Sequence, residues 1–222
     1  MTRIRVLFAD DQLPYDQTDR DSSVKEAIIN EIGDELRAKN EDPEVVYSRN
    51  LKWFQGLRQH LDERFKVIPA RTFAEAKVAL HRRKEFDVAV IDLSWFGDAK
   101  CPGKRRNIGI ELLEDLQKEN SEYPDYKPVL AFSQNFEKDP LLMGRVLELG
   151  ALPVPKIYTE TGYEALASAI SFLAKVRPPG SKAEDPTVAA ARVNRSAAIV
   201  VAFITGILGL IGGVAVALLK SH

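Results

Sequence analysis

An internal disulfide is excluded from this chain, because Cys101 is its single cysteine. A reducing compartment agrees with that, and Cys101 is expected to be an ordinary loop residue. An excess of one charge is missing too: 31 Lys and Arg stand against 32 Asp and Glu. So even a balance gives neither the footprint of a nucleic-acid-binding protein nor an acidic tail. No apolar secretory core occupies the first residues, Met1-Thr2-Arg3-Ile4-Arg5-Val6, so the bulk of the chain is expected to stay in the compartment that makes it. There is no internal repeat, and His60 and His81 lack metal-ligand spacing.

What is present begins with one long apolar run. Residues 197–219 carry no charge, and 13 of them are Ile, Leu, Val or Phe. As a helix the run reaches about 34 Å, against a hydrocarbon core of about 30 Å. Each of those side chains favours insertion by about 0.3–0.6 kcal/mol, so the expectation is a single-pass transmembrane helix rather than a buried soluble one. Arg192 and Arg195 precede it, with Lys175, Arg177 and Lys182 further back, and only Lys220 and His222 follow. The positive-inside tendency then leaves the N-terminal body in the cytoplasm, tail-anchored in the cytoplasmic membrane, with no extracytoplasmic domain expected. Gly206, Gly209, Gly212 and Gly213 crowd one half of the run, and the Gly209–Gly213 spacing suits close helix pairing. A homo-oligomer through the transmembrane helix and a plain anchor both remain open. Pro178-Pro179-Gly180-Ser181 and Asp185-Pro186 mark 178–196 as a linker, which leaves 1–177 as one domain.

Within 1–177, strand and helix signals alternate, the pattern of an α/β domain with a parallel sheet. Strands are expected at 4–9, 65–69, 87–91, 129–132 and 152–154. Ser23 with Glu26, Thr72 with Glu75, and Thr161 with Glu164 have capping-box spacing, and Asp139-Pro140 is a helix start. Ala165, Leu166, Ala169, Ile170, Leu173 and Val176 form one helical stripe, and Leu112, Leu113 and Leu116 another. The stretch 13–64 must hold at least two helices, near 24–39 and 51–64. Trp53, Phe54, Leu57 and Leu61 have helical spacing there, and a core face is expected of them before a partner-binding one. A polar loop, 95–107, carries Lys100, Lys104, Arg105 and Arg106; it is read as solvated, with an anion site for a phosphate, a nucleotide or acidic headgroups as the rival.

Polar residues close the apolar runs. Asp10 and Asp11 follow the first strand, Asp92 the third, Ser133 the fourth and Lys156 the fifth. Parallel strands end along one edge, so these residues are expected to share a pocket. Singly, a strand-end Asp is usually a turn or cap and a lone Lys is usually solvated; the coincidence of the set favours a site. Two carboxylates about 5 Å apart repel by roughly 3 kcal/mol at an effective dielectric of 20. Mg²⁺ suits Asp10, Asp11 and Asp92, since it takes hard oxygen ligands. Lys156 and Ser133 could then meet phosphoryl oxygens.

This ordered set resembles the response-regulator receiver (CheY-like) domain, over roughly residues 3–177. Gly109-Ile110-Glu111-Leu112-Leu113 and Leu149-Gly150-Ala151 match the family's helix entry and the turn before its last strand. The resemblance implies a doubly wound, five-stranded parallel sheet of flavodoxin-like type, with insertions. It implies that Asp92 accepts a phosphoryl group from a histidine kinase or another phosphodonor, that Asp10, Asp11 and Asp92 hold Mg²⁺, and that Ser133 and Lys156 hold the product. The domain would be a switch rather than an enzyme, signalling to a downstream protein by contact in a two-component phosphorelay. The chain departs from the family at Pro153, where an aromatic is usual, and at Phe96, where a proline is usual. Gly150 to Lys156 is one residue short. Two alternatives follow: a non-phosphorylated pseudo-receiver that acts as an interaction module, and a membrane effector assembled through the glycine-rich helix. A phosphohydrolase ranks below these, because Gln12 stands where the second Asp of an Asp-x-Asp motif would be.

Overall fold

Five short apolar runs, each bounded by polar or turn-forming residues, make five parallel strands: β1 (Arg5–Ala9), β2 (Lys66–Ala70), β3 (Val88–Asp92), β4 (Val129–Ser133) and β5 (Leu152–Pro155). Among the described residues, the helices that connect or follow them include α1 (Pro43–Arg64), α2 (Phe73–His81), α3 (Gly109–Glu122), α4 (Pro140–Glu148) and α5 (Glu160–Lys175), with a short 3₁₀ turn at Arg83–Glu85. The computed structural model describes residues 3–13, 33–34, 36–95, 108–123, 126–136 and 139–175. The chain divides into two units, Met1–Arg177 and Pro178–His222, and every described residue belongs to the first. Among the described residues no helix is long and apolar enough to cross a membrane. The run at 197–219, the linker, the Ser23–Glu26 box and the basic loop with Phe96 and Cys101 lie outside them.

The strands stand in the order β2-β1-β3-β4-β5, every neighbouring pair parallel. This is a doubly wound sheet, and it explains why β3 and β4 are apolar almost throughout: both of their faces are covered. Alternate side chains sort to opposite faces. Leu7, Ala9, Ala89, Ile91 and Ala131 pack with Phe73, Ala76 and Leu80 of α2, Leu112, Leu113 and Leu116 of α3, and Leu142 and Val146 of α4. The other face is covered by α1 and α5, where Trp53 and Tyr163 meet and Phe8 and Phe132 lie edge to face at 5.9 Å. Burying one such Leu or Phe side chain contributes about 1.5–3 kcal/mol. Prolines sit only where the sheet tolerates them, Pro69 in edge strand β2 and Pro153 and Pro155 in edge strand β5.

Several local expectations shift. β2, β3, β4 and β5 each end one residue later than the apolar run suggests, so Asp92 and Ser133 are the last residues of their strands. α1 starts at Pro43 rather than near Leu51, because Asp42 caps it through Glu44 N at 2.9 Å and Pro43 fits the first turn. Its expected core stripe is buried: Trp53, Phe54, Leu57 and Leu61. Thr72 and Glu75 form the expected capping box, and Asp139 caps α4 through Leu142 N at 3.0 Å. Thr161 does not start a helix, since α5 already begins at Glu160; Glu164 instead takes both guanidinium nitrogens of Arg64, at 2.9 and 2.7 Å. Trp95 is a core residue and not part of an exposed loop, packed edge-on against Phe73. Gly150 ends α4 with φ +72°, a left-handed conformation that costs a side-chain-bearing residue strain.

Candidate functional site

The sequence path out of each strand sets the direction of its polar side chain. Beyond Ala9 the backbone N–H of Asp10 still reaches Ala70 O at 3.0 Å, and the next turn folds so that Gln12 N donates to Asp10 Oδ1 at 2.8 Å. At the end of β3, Ser94 N donates to Asp92 Oδ1 at 3.1 Å, while the Trp95 indole N–H donates to Asp92 O at 2.7 Å. These local bonds hold two carboxylates at the carboxyl edge of adjacent central strands. Gly109 is required beside them: a Cβ there would collide with Asp92 O and Leu93 Cα.

Lys156 crosses from the far end of the sheet. Its backbone N–H donates to Ser133 O at 3.0 Å, continuing the ladder just beyond β5. Its ammonium then donates to Asp10 Oδ2 at 2.9 Å and Asp92 Oδ2 at 2.7 Å, with all three residues buried. Carboxylate oxygens of Asp10, Asp11 and Asp92 lie within 4.8 Å of one another. Asp11 is also buried, and its carbonyl accepts a 3.4 Å bond from Arg71 Nε.

Electrostatics follow from burial and from one cation facing several anions. Burial pushes the Asp92 carboxyl up to about 7; Lys156 opposes this, the charge of Asp10 adds to it, and the Ser94 N–H opposes it. For Lys156, burial acts to lower the ammonium, but Asp10 and Asp92 beside it prevail and hold it above its ordinary value. A simple ion pair would lower its acid, yet Asp92 is raised while its partner Lys156 is raised too. The geometry accounts for this, since a single ammonium is shared between two buried carboxylates and cannot fully offset both.

With all three carboxylates ionised, the one ammonium leaves two negative charges, which a divalent cation would offset. Around Mg²⁺ at about 2.1 Å, adjacent ligand oxygens stand about 3.0 Å apart and opposite ones about 4.2 Å, so oxygens already within 4.8 Å of one another need only small side-chain adjustments to share an ion. A buried Asp10-Asp11-Asp92 cluster of hard oxygen donors therefore fits a metal ion such as Mg²⁺.

No protein-family model matches the chain, and no curated protein matches it. Among solved structures it is similar to an adenylate cyclase from Rhodopirellula baltica, at a TM-score of 0.42 and 17% identity, covering 79% of this chain and 92% of that one. At that distance the likeness adds nothing to what the geometry says about chemistry. The fold itself is a parallel, flavodoxin-like α/β sheet.

Ser133, the remaining residue of the set, is fully buried at the end of β4, in register with Pro155 and one residue past the Phe132 that pairs with Asp92. Its hydroxyl accepts Asn135 N at 3.1 Å, and Asn135 Nδ2 donates to Ser94 Oγ at 3.1 Å. Thus the loops after β3 and β4 are tied together beside Asp92. Neither Ser94 nor Asn135 was singled out from sequence; a polar residue two positions past each strand end was the only signal available. Phe54 and Trp53, expected on a core face before a partner-binding one, are buried and also lie beside the Lys156 end of the site.

Proposed function

We propose that this chain is a receiver-type switch of phosphorelay signalling whose phosphoacceptor is Asp92. One observation carries the reading: Lys156 Nζ bridges Asp10 and Asp92 at the carboxyl edge of adjacent strands, with Asp11 beside them. In the reaction an Asp92 carboxylate oxygen attacks the phosphorus of a phosphohistidine on a kinase, or of a small acyl phosphate. A P–O bond to Asp92 forms as the bond from phosphorus to the leaving group breaks, and the leaving group departs with its electron pair. Mg²⁺ held by Asp10, Asp11 and Asp92 would offset charge on the transferring group. Lys156 then turns its ammonium to a phosphoryl oxygen, and Ser133 supplies a hydroxyl donor from the neighbouring strand. The chain carries signal rather than turning over a metabolite, and a downstream protein reads the phosphorylated surface. The apolar run at 197–219 supports tethering of the domain to the cytoplasmic membrane, with self-association through its glycines as part of the same proposal.

The test is direct. The purified chain, treated with Mg²⁺ and acetyl phosphate, is expected to gain a base-labile phosphoryl adduct that mass spectrometry maps to Asp92 and that Asp92→Asn loses. An unmodified wild-type chain under those conditions overturns the proposal. A pseudo-receiver is the second reading, favoured by Pro153, which faces Ala131 in the sheet and gives β5 no aromatic side chain to move on activation. On that reading Asp92→Asn keeps partner capture, and charge reversal at Arg105 and Arg106 abolishes it.

A further inference from the structure

A buried ammonium is costly unless each of its three N–H bonds meets a partner. Two from Lys156 go to Asp10 and Asp92. Two aromatic rings stand beside the same ammonium: Nζ lies 5.1 Å from the centroid of the Phe54 ring and 5.2 Å from that of Phe132. Phe132 is fixed in β4, opposite Val154 in the sheet. Phe54 arrives from α1, a separate element, and is itself held by Trp53, whose ring stands edge-on to it at 5.0 Å and stacks on Phe132 at 6.3 Å. The Trp53 indole N–H donates to Thr159 O at 3.3 Å, and Tyr163 Oη donates to Trp53 O at 3.0 Å. α1 is thereby locked to the segment that follows Lys156.

We infer that Phe54 is a positioning residue for Lys156: its ring faces the ammonium and holds it between Asp10 and Asp92, where it can turn to a phosphoryl oxygen. The ring's negative face attracts the cation in a desolvated place, whereas an aliphatic side chain would fill the volume without that attraction. The geometric part stands on the site as described. Only the kinetic consequence rests on the phosphorylation reading.

The full chain is compared with Phe54→Leu, Phe54→Tyr, Lys156→Met and the double variant Phe54→Leu/Lys156→Met. In urea unfolding, Phe54→Leu is expected to lower the folding equilibrium constant about five-fold more when Lys156 is present than when it is Met. Strict additivity overturns the inference. Should Lys156→Met fail to fold, proton NMR replaces the cycle. The Lys156 ε-methylene protons are expected upfield of those of the other lysines, moving back in Phe54→Leu and holding in Phe54→Tyr. Unshifted wild-type protons overturn the inference as well. In acetyl phosphate labelling, Phe54→Leu is expected to slow modification of Asp92 about ten-fold with the Mg²⁺ half-saturation unchanged, and Phe54→Tyr to restore it. A wild-type chain that never labels, with the stability coupling intact, sinks the phosphorylation reading and leaves this assignment standing. Normal labelling without the coupling does the reverse.

Discussion

Asp92 meets two opposing demands, burial that favours its neutral form and, on the proposed function, a nucleophilic role that needs its charge. With no metal bound, its folded pKa of about 7 lies above an unfolded value of about 3.9. The native state therefore binds more protons between those values, so this contribution to stability is complete below about pH 4 and is lost as pH rises through 7. In EDTA, urea unfolding is expected to show stability falling from pH 5 to pH 8. Asp92→Asn should flatten that slope and be more stable than wild type at pH 8 by on the order of 2 kcal/mol. A wild-type slope no steeper than that of the variant would contradict it. Asp87 acts in the opposite sense and in a different window: Arg5, bonded to it at 2.7 Å, holds it below the usual carboxylate range, so its contribution is present above about pH 4 and lost in acid. Residues that close an apolar run, such as Asp92 and Lys156, were legible in sequence because the strand period fixes where they emerge. Ser94, Asn135 and Phe54 were not, since their parts depend on neighbours brought close only by the sheet.

At the scale of elements, two glycines do different work and separate by mutation. Gly109 begins α3 so close to the end of β3 that any Cβ meets Asp92 O. Gly109→Ala is expected to cost about 2 kcal/mol or more and to displace Asp92, weakening Mg²⁺ binding together with stability. Gly150 has open space around its Cβ position but φ +72°. Gly150→Ala should therefore cost only about 1–2 kcal/mol of backbone strain and leave Mg²⁺ affinity unchanged. Calorimetric melting and a Mg²⁺ titration of both variants check this, and equal effects of the two on Mg²⁺ affinity would refute the distinction. Element starts were legible where capping chemistry was complete, as at Thr72–Glu75. The start of α1 was hidden because the polar stretch Ser48-Arg49-Asn50 separates its first turns from the apolar stripe that begins at Trp53. Thr161–Glu164 misled for the converse reason: the spacing fits a capping box, but Glu164 has a stronger partner across the interface in Arg64.

For the molecule as a whole, strand order decides where chemistry can occur. From β1 the chain passes first to one side, β2, and then to the other, β3, so the crevice at the carboxyl ends of β1 and β3 is the point where the winding reverses. Asp10, Asp11 and Asp92 come from those two strands, and Lys156 reaches them from the last. The alternation of elements made that order an expectation, whereas the way α1 covers the lysine depended on packing no periodicity encodes. A cation that binds this crevice binds the folded state alone, because only folding assembles the donors. At ten times its dissociation constant Mg²⁺ should then stabilise the domain by about 1.4 kcal/mol, raising its melting temperature by roughly 3–6 °C at this size. Asp11→Asn should remove most of the gain, since the amide keeps the size of the side chain but not its charge. Ser133→Ala should keep it, because Ser133 is not among the carboxylates that would hold the cation. Scanning calorimetry over a Mg²⁺ series measures both, and a rise that survives in Asp11→Asn would mean the cation sits elsewhere.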